Sequence, residues 1–193
     1  MNVETAAARK VAPDALAKDA VIAIDDVTLR FTTPDGHMMT ALRDFTMTVA
    51  RGEFACVVGP TGCGKSTTLN LVTSLLRPTT GTVRVMGAPV ESISPDIGFV
   101  FQADALFPWR NVIDNVAAGP TYRGVPKREA YARARDWIAR VGLARFETHY
   151  PHQLSGGMRK RVALAQTFIN QPKILLMDEP FSALDIQTRT LMQ

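Results

Sequence analysis

The run Gly59-Pro60-Thr61-Gly62-Cys63-Gly64-Lys65-Ser66-Thr67 restricts what this chain can fold into more than any other segment. It satisfies the pattern G-x-x-x-x-G-K-[ST] in full. The apolar run Phe54-Ala55-Cys56-Val57-Val58 precedes it, and a helical pattern carrying Leu69, Val72 and Leu76 follows. Strand, glycine-rich loop and helix is the context in which this pattern holds phosphates. Glycines at 59, 62 and 64 let a loop wrap a phosphate chain with its N–H groups turned inward, where side chains would collide. Lys65 supplies a positive charge for the β- and γ-phosphates, Ser66 a hydroxyl for Mg²⁺, and the helix N-terminus its partial positive charge. A flexible turn before a helix is the bland alternative, and a full match in this context is uncommon by chance. The run Phe54–Val58 lacks alternation, which predicts a central strand buried on both faces with Cys56 inside it.

Composition narrows the class further. A chain of 193 residues, 46% hydrophobic and 21% charged, suffices for one globular domain with a real core. Its longest apolar run is five residues, against the ~20 of a membrane helix, so no span is expected. Residues 1–19 are alanine-rich with scattered charges and lack the apolar centre of a secretory signal. They predict a poorly ordered arm. Two cysteines, Cys56 and Cys63, argue against a disulfide scaffold and fit a reducing compartment. The net charge of +4 is mild. Its densest basic run, Arg159-Lys160-Arg161, reads as a solvated helix face rather than a nucleic-acid patch.

Along the chain, alternation at Val27, Leu29 and Phe31 predicts a strand over residues 21–31, and Pro34-Asp35-Gly36 a turn. Phe45, Met47 and Val49 predict a second strand closing at Arg51-Gly52; Val83-Arg84-Val85 and residues 97–101 read as two more. From about residue 103 the pattern turns helical. Residues 129–141 carry Tyr131, Ala134, Ile138 and Val141 at helical spacing, with Pro126 before and Gly142 after as stop signals, and Ser155 opens another helix reaching about Ile169. Strand character returns at Ile174–Met177. The division expected is an α/β core, 20–102 and 171–193, with a helical subdomain, 103–170, inserted.

Two further motifs carry chemistry. Ile174-Leu175-Leu176-Met177-Asp178-Glu179-Pro180 is an apolar strand ending in adjacent carboxylates. A strand tip there can hold Asp178 near Mg²⁺ while Glu179, on the other side of the pleat, faces a water in line with the γ-phosphate. The bland reading is an acidic turn, and the phosphate loop weighs against it. Leu154-Ser155-Gly156-Gly157-Met158 opens a helix, with Ser155 a good N-cap and glycines that leave amides open to an anion. Taken alone it reads as a capped helix start, and its place before Asp178-Glu179 gives the binding reading its force.

The phosphate loop, Gln102 after Ile97–Phe101, Leu154–Met158, the Asp178-Glu179 strand and Ser182-Ala183-Leu184-Asp185 stand in the order found in the ATP-binding-cassette ATPases. The chain resembles that family over residues 20–193. Phe107-Pro108-Trp109-Arg110-Asn111-Val112 is similar to the nitrate/sulfonate/taurine importer ATPases. The resemblance implies an α/β P-loop NTPase core sheet with an inserted helical subdomain, working as the ATP-hydrolysing subunit of a small-solute importer.

It also implies roles. Two cassettes would pair head to tail around two ATP molecules. Gly59, Pro60, Thr61, Gly62, Cys63, Gly64, Lys65, Ser66 and Thr67 of one would hold the phosphates, and Ser155, Gly156 and Gly157 of the other would cap the γ-phosphate. Phe31 would stack on adenine, with a core-facing role as the alternative. Ser66, Gln102 and Asp178 would hold Mg²⁺, Gln102 would also sense the γ-phosphate, Glu179 would polarise the attacking water, and Asp185 would bridge to the partner's site. The partners implied are permease subunits, through a coupling helix near Gln102, and indirectly a solute-binding protein; no nucleic acid is expected. The location implied is peripheral, at the cytoplasmic face of the inner membrane. Met158 stands where many members carry Gln. The family's γ-phosphate histidine lies beyond the Asp185 motif, whereas His37, His149 and His152 all precede Glu179, so the reading expects a C-terminally truncated product. The competing functions are a soluble cassette ATPase acting on nucleic acid or the ribosome, and a non-catalytic nucleotide-binding module.

Overall fold

The computed structural model describes residues 20–179. The predicted arm at 1–19 and the segment Ser182–Asp185 lie outside the described residues. The chain divides after Ser92 into two compact units.

In the first unit, β1 (Ala20–Thr32), β2 (Met38–Ala50), β3 (Thr80–Val85) and β4 (Ala88–Pro89) form an antiparallel sheet in the order β2-β1-β3-β4. The Pro34-Asp35-Gly36 signal makes the hairpin: Gly36 N–H donates to the Thr33 carbonyl (2.9 Å) and Thr33 N–H to the His37 carbonyl (2.8 Å). β1 carries a bulge. Asp26 takes φ +47°, and the register with β2 slips between Ile24 and Val27. The extra residue changes the parity of the strand. Ile22 and Ile24 are buried before it, and Val27 and Leu29 after it. Gly81 of β3 is required here, since a Cβ would lie 2.3 Å from the Asp26 carbonyl oxygen. The helix after the phosphate loop, α1, spans Lys65–Val72 and buries Thr68, Leu71 and Val72.

The expected strand at 54–58 does not form: these residues carry no strand assignment, and Phe54 is 93% and Val58 85% exposed. A strand buried on both faces needs a hydrogen-bonded neighbour at each edge, and among the described residues none pairs with this run. Cys56, expected in its interior, is accordingly exposed.

In the second unit, β5 (Ile97–Val100) and β6 (Ile174–Met177) pair in parallel, Ile97 opposite Ile174 and Val100 opposite Met177. Between them run α2 (Val112–Val116), α3 (Ala118–Tyr122), α4 (Lys127–Arg140) and α5 (Gly156–Phe168), with single 3-10 turns at Ala144–Phe146 and Pro151–Gln153. On α4, Ala130, Ala134 and Ile138 are fully buried. They recur at the helical spacing of one face, and pack with Val112, Val116, Leu143, Val162 and Ala165 into one core. Gly142, φ +72°, ends that segment. α5 lies against β5, where a Cβ on Gly98 would meet Thr167 and Pro172 at 2.9 and 2.7 Å. The basic run on α5 is no solvated face: Lys160 is fully buried and Arg159 and Arg161 are half-buried.

Candidate nucleotide-binding site

The phosphate loop of the first unit closes on its own lysine. Lys65 Nζ donates to the carbonyls of Gly59 and Pro60, both at 2.9 Å, which engages two of the three donors of an ammonium. Gly64 caps α1 at φ +99°, and a Cβ there would lie 2.7 Å from Leu42 Cδ2. At Gly59 a Cβ would lie 2.6 Å from Cys63 Sγ. Gly62 differs from expectation: its surroundings are open, and φ +84° rather than crowding requires glycine. Thr68 anchors the turn, its N–H and hydroxyl both meeting the Gly64 carbonyl (2.9 and 3.0 Å). The loop thus presents a lysine, exposed hydroxyls on Thr61 and Ser66, and a helix N-terminus, the donor set that suits a phosphate chain. Phe31 is half-buried on β1 opposite Met39 of β2.

In the second unit, the ends of two parallel strands bring together residues 77 apart in sequence. Asp178 N–H donates to the Val100 carbonyl (2.9 Å), continuing the β5–β6 ladder by one bond. Just past it, Gln102 Nε2 donates to Glu179 Oε2 at 3.0 Å. Glu179 sits in the left-handed region at φ +45°, a costly conformation for a residue with a Cβ and one that concentrates at functional sites. With its amide nitrogen on Glu179, Gln102 offers a cation its carbonyl oxygen. Together with the Ser66 hydroxyl and the Asp178 carboxylate, the predicted metal residues are all hard oxygen donors. Each, taken singly, is the kind of donor that Mg²⁺ accepts.

Ser155 caps α5 as predicted, its Oγ accepting from Met158 N–H at 3.3 Å. Ser155 is exposed, and Met158 packs its side chain on the helical core. The residues that sequence reasoning missed stand behind these. Lys160 Nζ donates to the carbonyls of Phe101 (2.5 Å) and Gln102 (3.1 Å). Burial pushes its ammonium below the usual lysine range, and the carboxylates of Asp104 and Asp178 pull it partly back. Arg159 pairs with Asp104 (Nε to Oδ2, 3.0 Å) and donates to the Leu154 carbonyl (2.9 Å). Asn115, fully buried, holds the loop after Gln102. Its Oδ1 accepts from Phe107 N–H (2.7 Å), and its Nδ2 reaches the carbonyls of Phe107, Arg110 and Asn111.

A protein-family profile described as ABC transporter matches residues 42–182. The chain belongs to that family, and its α/β fold is that of the ABC ATPase cassettes. It is 50% identical over 155 residues to a taurine import ATP-binding protein of Burkholderia pseudomallei, covering 80% of this chain and 60% of that one. To the taurine import ATP-binding protein of Roseobacter denitrificans it is 41% identical over 172 residues, 89% of this chain and 64% of the relative. An uncharacterised ABC transporter ATP-binding protein of Methanocaldococcus jannaschii is 47% identical over 159 residues, 82% and 60% of the two chains. The chain thus spans about 60% of the length of the curated relatives it matches. Among solved structures, a dimeric bacterial ABC transporter cassette superposes with TM-score 0.80 at 33% identity, over 88% of this chain and 78% of that one. The dimeric post-hydrolysis state of an ATP-binding cassette bound to ADP and Pi gives 0.79 at 33%, over 86% and 77%.

Proposed function

We propose that this chain binds and hydrolyses ATP as the energising subunit of an importer for a small solute of the taurine, sulfonate or nitrate kind. The observation that carries the reading is the Gly59–Thr67 loop, folded around Lys65 at the N-terminus of α1. The names of the taurine-importer relatives support the narrower solute class.

The roles follow from each residue's chemistry. Lys65 and the loop amides bind the phosphates, with Phe31 on the adenine. Ser66, Gln102 and Asp178 hold Mg²⁺, which neutralises phosphate charge when bound, and Gln102 also senses the γ-phosphate. Glu179 accepts the hydrogen bond of Gln102 and orients the attacking water. The chain pairs with a second copy, as the dimeric cassette neighbours support; in that pair Ser155, Gly156 and Gly157 cap the γ-phosphate of the second copy, and Asp185 bridges to the partner's site. The division proposed is a core of 20–102 and 171–193 with a helical subdomain at 103–170.

For the permease we propose the surface that follows Gln102. Trp109 is 72% exposed there, and the Arg110 guanidinium lies 5.0 Å from the Phe107 ring centroid and 5.3 Å from that of Tyr122. Among the described residues no helix is long and apolar enough to cross a membrane. The location proposed, which the importer names of the relatives support, is peripheral, on the cytoplasmic face of the inner membrane beside the permease. ATP shifts the cassette pair toward closure only by binding the closed form better.

The test is Mg²⁺-dependent hydrolysis by the chain extended to the length of its relatives, wild type against Glu179→Gln. Turnover should fall by about 10²–10⁴-fold, the range for losing a positioned base, while ATP still binds and the dimer accumulates. Unchanged turnover would remove Glu179 from this role.

A further inference from the structure

We infer that Lys160 is a positioning residue: it fastens the Gln102 segment to helix α5, so that the Gln102 side chain and the Ser155-Gly156-Gly157 tip shift as one body. The inference rests on the roles proposed above for Gln102 and for the tip.

A lysine buried among helices is costly unless its ammonium is hydrogen-bonded. Lys160 is fully buried, and its Nζ is taken up by two consecutive backbone carbonyls, Phe101 and Gln102. Those carbonyls belong to the segment that leaves β5 and carries Gln102 to Glu179. Separating the segment from α5 would take from the Lys160 ammonium the two carbonyls that hold it at its buried place, so the two elements are held together there. Arg159, one residue earlier, makes a second strap. Its Nε holds Asp104, two residues after Gln102, and its other arm holds the Leu154 carbonyl, immediately before the cap Ser155. The two basic residues therefore tie both sides of the helix tip to residues 101–104. A contact that draws Gln102 toward a γ-phosphate is passed to the tip through backbone hydrogen bonds, without any contact between Lys160 and nucleotide.

The experiment is calorimetric titration of the 193-residue chain with a Mg²⁺-loaded non-hydrolysable ATP analogue and with Mg²⁺·ADP. The readout is the ratio of the two affinities, which isolates the γ-phosphate. Gln102→Ala should lower that ratio by at least about fivefold, the lower end of typical coupling between sites. Lys160→Met, similar in length but without donors, should lower it equally, leaving ADP affinity within about twofold. Combining the two should add nothing, because the residues act through one path. Lys160→Gln, which keeps two N–H donors, should restore the ratio. Asp104→Asn, on a half-exposed ion pair, gives a smaller loss in the same direction and serves where Lys160→Met does not fold. A chain that binds neither nucleotide overturns the reading beneath the inference. Nucleotide that binds with a ratio sensitive to Gln102→Ala and indifferent to Lys160→Met and Asp104→Asn overturns the inference alone. Reductive methylation of the intact chain is a separate check: Lys160 should be among the last lysines modified, and rapid labelling contradicts its placement.

Discussion

Asn115 illustrates what a single buried amide can organise. It sits on α2, yet its polar atoms go to the loop from Phe107 to Asn111. Nothing in its immediate sequence marks it, because Asn in a five-residue helix looks like any solvated polar residue. Lys160 was hidden for the same reason. A basic run is solvated by default, and only the carbonyls of residues 101 and 102, nearly sixty positions away, give it a buried place. The phosphate loop was legible because its chemistry is local: Gly64 and Lys65 need only each other's spacing. Asn115→Ala leaves one N–H and up to three carbonyls short of a partner inside the core. We expect the second unit to lose about 2–4 kcal/mol of unfolding free energy, measured by urea denaturation. A loss under about 1 kcal/mol would mean that water replaces the amide.

At the scale of elements, periodicity located the long helices and the alternating strands. α4 was expected at 129–141 and spans Lys127–Arg140; α5 was expected from Ser155 and begins at Gly156. α2 and α3, five residues each, are too short to show a period. The run 54–58 misled because an apolar stretch states what a strand would bury and not which neighbours it has. One contact between elements carries a pH signature. Tyr131 on α4 donates its phenolic hydrogen to the Asp114 carboxylate on α2. That bond, with burial and the carboxylate charge, raises the phenol above its ordinary 10.0. The folded chain therefore holds this proton more tightly than the unfolded one. The stabilisation is complete below pH 10 and is lost as pH rises through the raised value. Thermal unfolding between pH 9 and 12 should show a downward slope that Tyr131→Phe flattens. An unchanged slope would place the loss elsewhere.

For the whole molecule, the family was legible in the order of the motifs rather than in composition or charge. Phosphate binding is the part of the proposed function on which the others rest, since the roles proposed for Gln102, Glu179 and the Ser155 tip require ATP held at Lys65. The most direct measurement is calorimetric titration of the 193-residue chain with Mg²⁺·ATP, wild type beside Lys65→Ala. The account predicts saturable binding of one ATP per chain, weakened at least about tenfold by the substitution, as expected for one charge-assisted contact. Equal affinity in both proteins would contradict it.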